Sequence, residues 1–255
     1  QIEHAYARVG ALEYEQVFQC RIGTAIVYEH DVEADRLVMK HSIDSLQEML
    51  RGLFFIVDRN NEREWDLPNP SAFTDDEIIA VREWVRGGGA LLLIADHMPM
   101  AGAAEKLAYE FGAIYANGFA ADSTLNTGAM RFRRSERLLG RHPVTEGRNP
   151  AERIDSLTTF TGSAFRMIGP GIPIMTLGKS TLLMPVKDWV FGDTVPRMRA
   201  DGMLQGAAIE FGRGRVVLLA EAAMLSAQLA GPQRNRMGMN NPIAAQNAQF
   251  ALNVV

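Results

Sequence analysis

The chain has 255 residues, 47% of them hydrophobic and 22% charged, with a net charge of −4. That balance suits one large α/β domain with a substantial core, and without a basic cluster it excludes nucleic acid as a partner. No apolar window of about 18 residues exists, so no membrane-spanning helix is expected, and the lone Cys20 excludes an internal disulfide and a cysteine zinc site.

In chain order, Thr24 to Glu29 reads as a first strand running into Glu29-His30-Asp31. Between Glu33 and Leu50, apolar Met39, Ile43, Leu46 and Leu50 recur at helical spacing, which predicts an amphipathic helix. Leu53 to Val57 forms a second apolar strand, ending on Asp58, which the polar loop after it marks as a turn former. Thr74-Asp-Asp-Glu77 has the spacing of a capping box and opens a helix that runs through Trp84 to glycines 87–89.

Ala90 to Ala95 then forms an apolar run between the glycines and Asp96-His97. A run of this kind predicts a strand buried on both faces, as in a parallel sheet. A helix from Gly102 to Phe111 completes a β-α-β-α-β-α pattern, which predicts a doubly wound sheet. Residues 113–200 are less regular, with short strands expected at Ile114-Tyr115, Ser156 to Phe160 and Thr181 to Pro185. Gly206 to Ile209 and Val216 to Ala220 read as a hairpin about Phe211-Gly-Arg-Gly-Arg215, ending on Glu221, and a last helix follows Pro242.

Acids and imidazoles therefore gather at predicted strand ends: Glu29-His30, Asp58, Asp96-His97 and Glu221. In an open parallel sheet these ends share one edge, where ligands bind. Asp96 and His97 lie in a strand-to-helix turn. Glu221 lies beside apolar Ala222-Ala223-Met224, where a carboxylate needs a partner or a raised pKa.

No Gly-x-Ser-x-Gly elbow, phosphate loop or dinucleotide fingerprint is present, so no cofactor is expected, and the scattered histidines form no compact metal motif. What remains is carboxylate and imidazole acid–base chemistry. Two carboxylates across a cleft serve glycoside hydrolysis, with Asp96 and Glu221 as the pair and Glu29 assisting. His97 as a general base would instead serve ester or amide hydrolysis.

A polar stretch, Gly231 to Pro242, would overhang the crevice and offer Gln233, Asn240 and Asn241 to hydroxyl groups, with His30 and Trp65 as further substrate contacts. The same asparagines equally serve as caps for the helix after Pro242. Trp189 is a second stacking candidate, whereas Trp84 belongs to a helix core. A non-catalytic module binding a sugar or a protein in this crevice is the competing reading.

Phe73-Thr-Asp-Asp-Glu-Ile with Trp84-Val-Arg-Gly-Gly-Gly-Ala-Leu-Leu-Leu-Ile-Ala-Asp-His-Met-Pro, Ala220-Glu-Ala-Ala-Met-Leu-Ser-Ala-Gln and Met237-Gly-Met-Asn-Asn-Pro resemble a bacterial family within the class I glutamine amidotransferase-like superfamily, related to ThuA-like proteins. The resemblance runs from about Leu67 to the C-terminus. It implies a flavodoxin-like three-layer α/β sandwich with a mostly parallel sheet, formed by a single domain over residues 1–255 with an irregular β-rich insertion at about 113–200. Asp96-His97 stands where amidotransferases carry their elbow cysteine, which implies that glutaminase activity is lost. Relatives of this superfamily include domains attached to some β-galactosidases, so a carbohydrate or other small-molecule substrate is implied. Oligomeric state is left open, as is the choice between cytoplasm and periplasm; the start at Gln1 fits removal of an export signal.

Overall fold

The computed structural model describes residues 23–27, 53–57, 69–125, 128–186 and 191–255. The predicted helix between Glu33 and Leu50 lies outside these residues, as do Cys20, Glu29, His30, Asp58, Trp65 and Trp189.

Strands β1 (Gly23–Val27) and β2 (Leu53–Val57) precede helix α1 (Asp75–Arg86), strand β3 (Ala90–Ala95) and helix α2 (Met100–Glu110). Next come β4 (Ala113–Ala116), β5 (Phe119–Asp122), β6 (Met130–Arg133) and the single turn α3 (Pro143–Glu146). The chain continues through β7 (Ser156–Thr159), β8 (Ala164–Met167), β9 (Ile172–Thr176), β10 (Thr181–Met184), β11 (Met198–Arg199), β12 (Leu204–Phe211) and β13 (Gly214–Leu219). It closes with β14 (Ala227–Ala230), β15 (Asn235–Gly238) and α4 (Asn247–Val254).

The main sheet has eight strands in the order β1-β2-β3-β13-β12-β8-β4, with β9 also pairing with β12. Its first four strands are mutually parallel. From β13 onward every pairing is antiparallel. The change of direction comes from the turn through Gly212, whose φ of 62° suits glycine and which folds β12 directly back onto β13. Along β12 the pairing passes from β8 to β9 with register shifts around Gly206, where two strands share one edge.

This architecture corrects the flavodoxin-like expectation. Side chains alternate across β3, so Leu91, Leu93 and Ala95 enter one core with helices α1 and α2. Leu92 and Ile94 enter a second core, whose cover is Met130 and Phe132 of β6, Leu157 of β7, Leu183 of β10 and Phe250 of α4. Among the described residues the second face is thus closed mainly by short antiparallel strands and not by a layer of helices. The described residues are mostly β, in a mixed and curled sheet, because residues 113–200 form strands that pair locally and return to the main sheet through β8 and β9. Phe165 and Leu93 are fully buried, and each such side chain contributes about 1.5–3 kcal/mol by leaving water.

The start of α1 is set by local chemistry. Glu77 N–H donates to Thr74 Oγ1 at 3.3 Å, and Thr74 N–H donates to Glu77 Oε2 at 2.7 Å. Thr74→Ala should lower stability by about 1 kcal/mol, seen as a lower urea midpoint at unchanged slope.

Candidate functional site

β3 lies between β2 and β13, so its C-terminal end delivers Asp96 and His97 beside Glu221, which follows β13 by two residues. The third component is the loop from Thr159 to Ser163, which joins β7 to β8 and crosses this edge. It is pinned there by Ala120 N–H to Gly162 O and Ser163 N–H to Ala220 O, each 2.8 Å, and by the Ser163 hydroxyl on the Ala116 carbonyl.

Glu221 is fully buried. Its Oε2 accepts a short 2.7 Å hydrogen bond from Met224 N–H in the 3₁₀ turn Ala223–Leu225. Among the described residues its Oε1 has only long contacts: Phe160 N–H and Thr161 N–H at 3.4 Å and Thr161 Oγ1 at 3.5 Å. Thr161 Oγ1 also lies 3.2 Å from Asp96 Oδ1.

One hydroxyl carries one hydrogen and cannot donate to both carboxylates. Both contacts are satisfied when Glu221 is protonated on Oε1 and donates to Thr161, which in turn donates to Asp96. The electrostatics agree. Burial pushes the Glu221 carboxyl well above the usual carboxylate range, and the negative charge of Asp96 pushes it further, against the backbone N–H groups of Met224, Thr161 and Phe160. Burial also raises Asp96, opposed by the charge of His97 and by hydrogen bonds from His97 N–H, the Thr161 hydroxyl and Ala222 N–H. Asp96 remains half-buried and is therefore the member of the pair with access to solvent.

His97 is buried and stacks on Phe119 with ring centroids 4.1 Å apart. Its Nδ1 lies 2.7 Å from Met98 O. A carbonyl only accepts, so Nδ1 carries the hydrogen, and in the neutral ring Nε2 is the acceptor nitrogen.

The structure thus brings Asp96, His97 and Glu221 together. The amides of the polar stretch serve their own segment: residues 227–238 form the β14–β15 hairpin, with Gln233 exposed at its turn. Asn240 donates to Ala227 O and Gln228 O, at 2.8 and 3.2 Å. Asn241 donates to Arg236 O at 2.7 Å and caps the 3₁₀ turn Pro242–Ala244 by accepting from Ile243 N–H. Trp84 packs against the core that contains α1 and α2.

Thr161 and Gln205 are site residues that sequence reasoning missed. The run Thr158-Thr-Phe-Thr-Gly-Ser163 carries a turn signal, but nothing local ties it to a glutamate sixty positions away. A separate cavity of about 890 Å³ is lined by Arg131, Arg133 and Lys179 together with Asp122, Glu136 and Asp201. Its charges balance and select no ligand class. Among the described residues no three His, Cys, Asp or Glu side chains are grouped to hold a metal ion, and no helix is long and apolar enough to cross a membrane.

No protein-family model matches the sequence, and no curated protein does. Among solved structures, the mmIFT52 N-terminal domain is similar with a TM-score of 0.54 at 10% identity, over 96% of this chain and 89% of that one. A ThuA-like protein from Bacteroides uniformis is a looser neighbour, with a TM-score of 0.42 at 11% identity, over 85% of this chain and 71% of that one. The cold-adapted β-galactosidase from Rahnella sp. R3 also has a TM-score of 0.42, at 8% identity, over 91% of this chain but only 30% of that one. At 10% identity the first likeness is one of fold alone, and the latter two are too loose to carry an argument.

Proposed function

We propose that the chain is a hydrolase in which Asp96 meets the substrate and Glu221, joined to it through Thr161, stores a proton behind it. The observation that carries this reading is the single hydroxyl of Thr161 standing between the two carboxyls, at 3.2 and 3.5 Å. Burial raises the Glu221 carboxyl so that it holds a proton, which Thr161 can relay to Asp96 for a leaving oxygen. We assign a glycosidic bond as the target, with Asp96 as the general acid and His97, directly after it, as the orienting group. The second carboxylate such cleavage requires is assigned to Glu29, which follows β1 by two residues in the chain. Glu221 acts from behind as a positioning residue, since its burial keeps it from the substrate.

The test is to assay the wild type and Asp96→Asn on nitrophenyl glycosides and esters. The wild type is expected to cleave at least one glycoside, and the substitution to lower kcat/KM by about 10²–10⁴-fold. Full activity in Asp96→Asn rejects the assignment, and an ester-only profile transfers the chemistry to His97.

A second reading, a non-catalytic module that binds a sugar or a protein, is favoured by one observation. Both Glu221 oxygens are already held by backbone N–H groups, the arrangement of a carboxyl that supports structure. That reading requires thermal stabilisation by a sugar or partner with no turnover on the panel.

A further inference from the structure

We infer that Gln205 is a positioning residue for the Asp96–Glu221 pair: its buried amide fixes the Thr159–Ser163 loop so that the Thr161 hydroxyl lies between the two carboxyls. The inference rests on the proposed acid–base role of that pair and names the residue that sets its geometry.

Gln205 sits on β12, next to β13 and fully out of solvent. Its amide is used completely on the loop. Oε1 accepts from Thr159 Oγ1 at 2.9 Å, while Nε2 donates to Ser163 O at 2.9 Å and to Thr161 O at 3.4 Å. The two carbonyls flank Gly162, the loop's left-handed tip at φ 103°. The amide therefore grips the loop on both sides of the residue that turns it, immediately beside the threonine that touches both carboxyls.

The backbone of β12 reinforces the grip, because Gln205 O accepts from Ala220 N–H at 2.9 Å, one residue before Glu221. A glutamate at 205 would present an oxygen to carbonyls that need donors, and a methionine would fill the space with no hydrogen bond at all.

Among the described residues, the titratable group acting on Asp96 is His97, and that acting on Glu221 is Asp96. The loop and the part of β12 that grips it contribute neutral groups, Thr159, Thr161, Ser163 and Gln205, and the one acid of β12, Glu210, lies toward its other end. A change in the loop thus reaches the pair by moving hydrogen bonds and not by adding charge.

The experiment is a pH titration of the Asp96 and Glu221 side-chain carboxyl carbons by NMR, in the whole chain as the wild type, Thr161→Val, Thr161→Ser and Gln205→Met. Hydrogen bonds to an ionised carboxyl hold its midpoint down, so losing them raises it. Thr161→Val and Gln205→Met are both expected to shift the Asp96 midpoint upward by about 0.5–1 pH unit. Thr161→Ser, which keeps the hydroxyl, should retain the wild-type curve.

Were Gln205→Met unable to fold, Thr159→Val, which removes only the hydroxyl that Gln205 Oε1 accepts from, should shift the midpoint in the same direction. A folded Gln205→Met, or Thr159→Val in its place, that titrates like the wild type would overturn the inference, whatever its thermal stability. The titration needs no turnover, so an inactive wild type would sink the hydrolase reading and leave this result standing.

Discussion

Replacing Glu221 by alanine should lower the unfolding free energy by about 3–5 kcal/mol, measured as a reduced urea midpoint. The substitution leaves Met224 N–H without its 2.7 Å acceptor in a site that water does not reach, and it opens a void between β13 and the Thr159–Ser163 loop. Glu221→Gln should cost less: its oxygen can take the Met224 N–H and its amide can donate to Thr161 Oγ1, and the loss is confined to the two long contacts from Phe160 N–H and Thr161 N–H, which an amide nitrogen cannot accept.

Both substitutions also differ from the wild type in their pH dependence. Glu221 has a raised folded-state pKa, so the protonated form is the one that folding favours. Its contribution is fully present below the ordinary glutamate value of about 4.3 and is lost as pH rises through the folded value, because the unfolded chain ionises first. Asp96, also raised, contributes with the same sign. Glutamine at 221 cannot ionise. The stability of Glu221→Gln relative to the wild type should therefore improve steadily as pH increases from 4 upward, and parallel stability curves would show that Glu221 is not protonated in the folded state.

Gly162→Ala should be comparably damaging, about 3 kcal/mol or more. The residue has a φ of 103°, and a Cβ there would lie 2.4 Å from Ala220 O and 2.7 Å from Glu221 Cγ. The carbonyl cannot withdraw, since it already accepts Ser163 N–H at 2.8 Å. Gly202→Ala is the control. Its φ of 77° is equally left-handed, but a Cβ there meets nothing within 4 Å, so only the backbone preference of about 1–2 kcal/mol is lost. Equal losses at the two positions would mean that the loop yields to the new methyl. In a folded Gly162→Ala protein the displaced Thr161 should also weaken whatever chemistry Asp96 performs.

Several elements were legible because their causes are local. The capping box at Thr74 and Glu77 needs only two residues three apart, and the glycines after Arg86 end the same helix. The apolar run Ala90–Ala95 announces a strand buried on both faces, and its neighbours β2 and β13 are indeed parallel to it. The hairpin of β12 and β13 is signalled by glycines at 212 and 214. The β-α-β-α-β-α pattern misled on architecture because periodicity reports which face of an element is apolar, not what covers it. The second face of the sheet is covered by strands from a region whose short apolar runs gave no sign of their partners.

That acid and imidazole side chains follow apolar runs can be read along the chain, because alternation and turn residues are properties of neighbouring positions. Folding alone sets a threonine from one loop between Asp96 and Glu221, closes Glu221 off from solvent while leaving Asp96 half-buried, and brings Gln205 onto the loop. Those are contacts between segments tens of residues apart, and the free energy that selects them comes from packing the whole sheet, which no local pattern encodes.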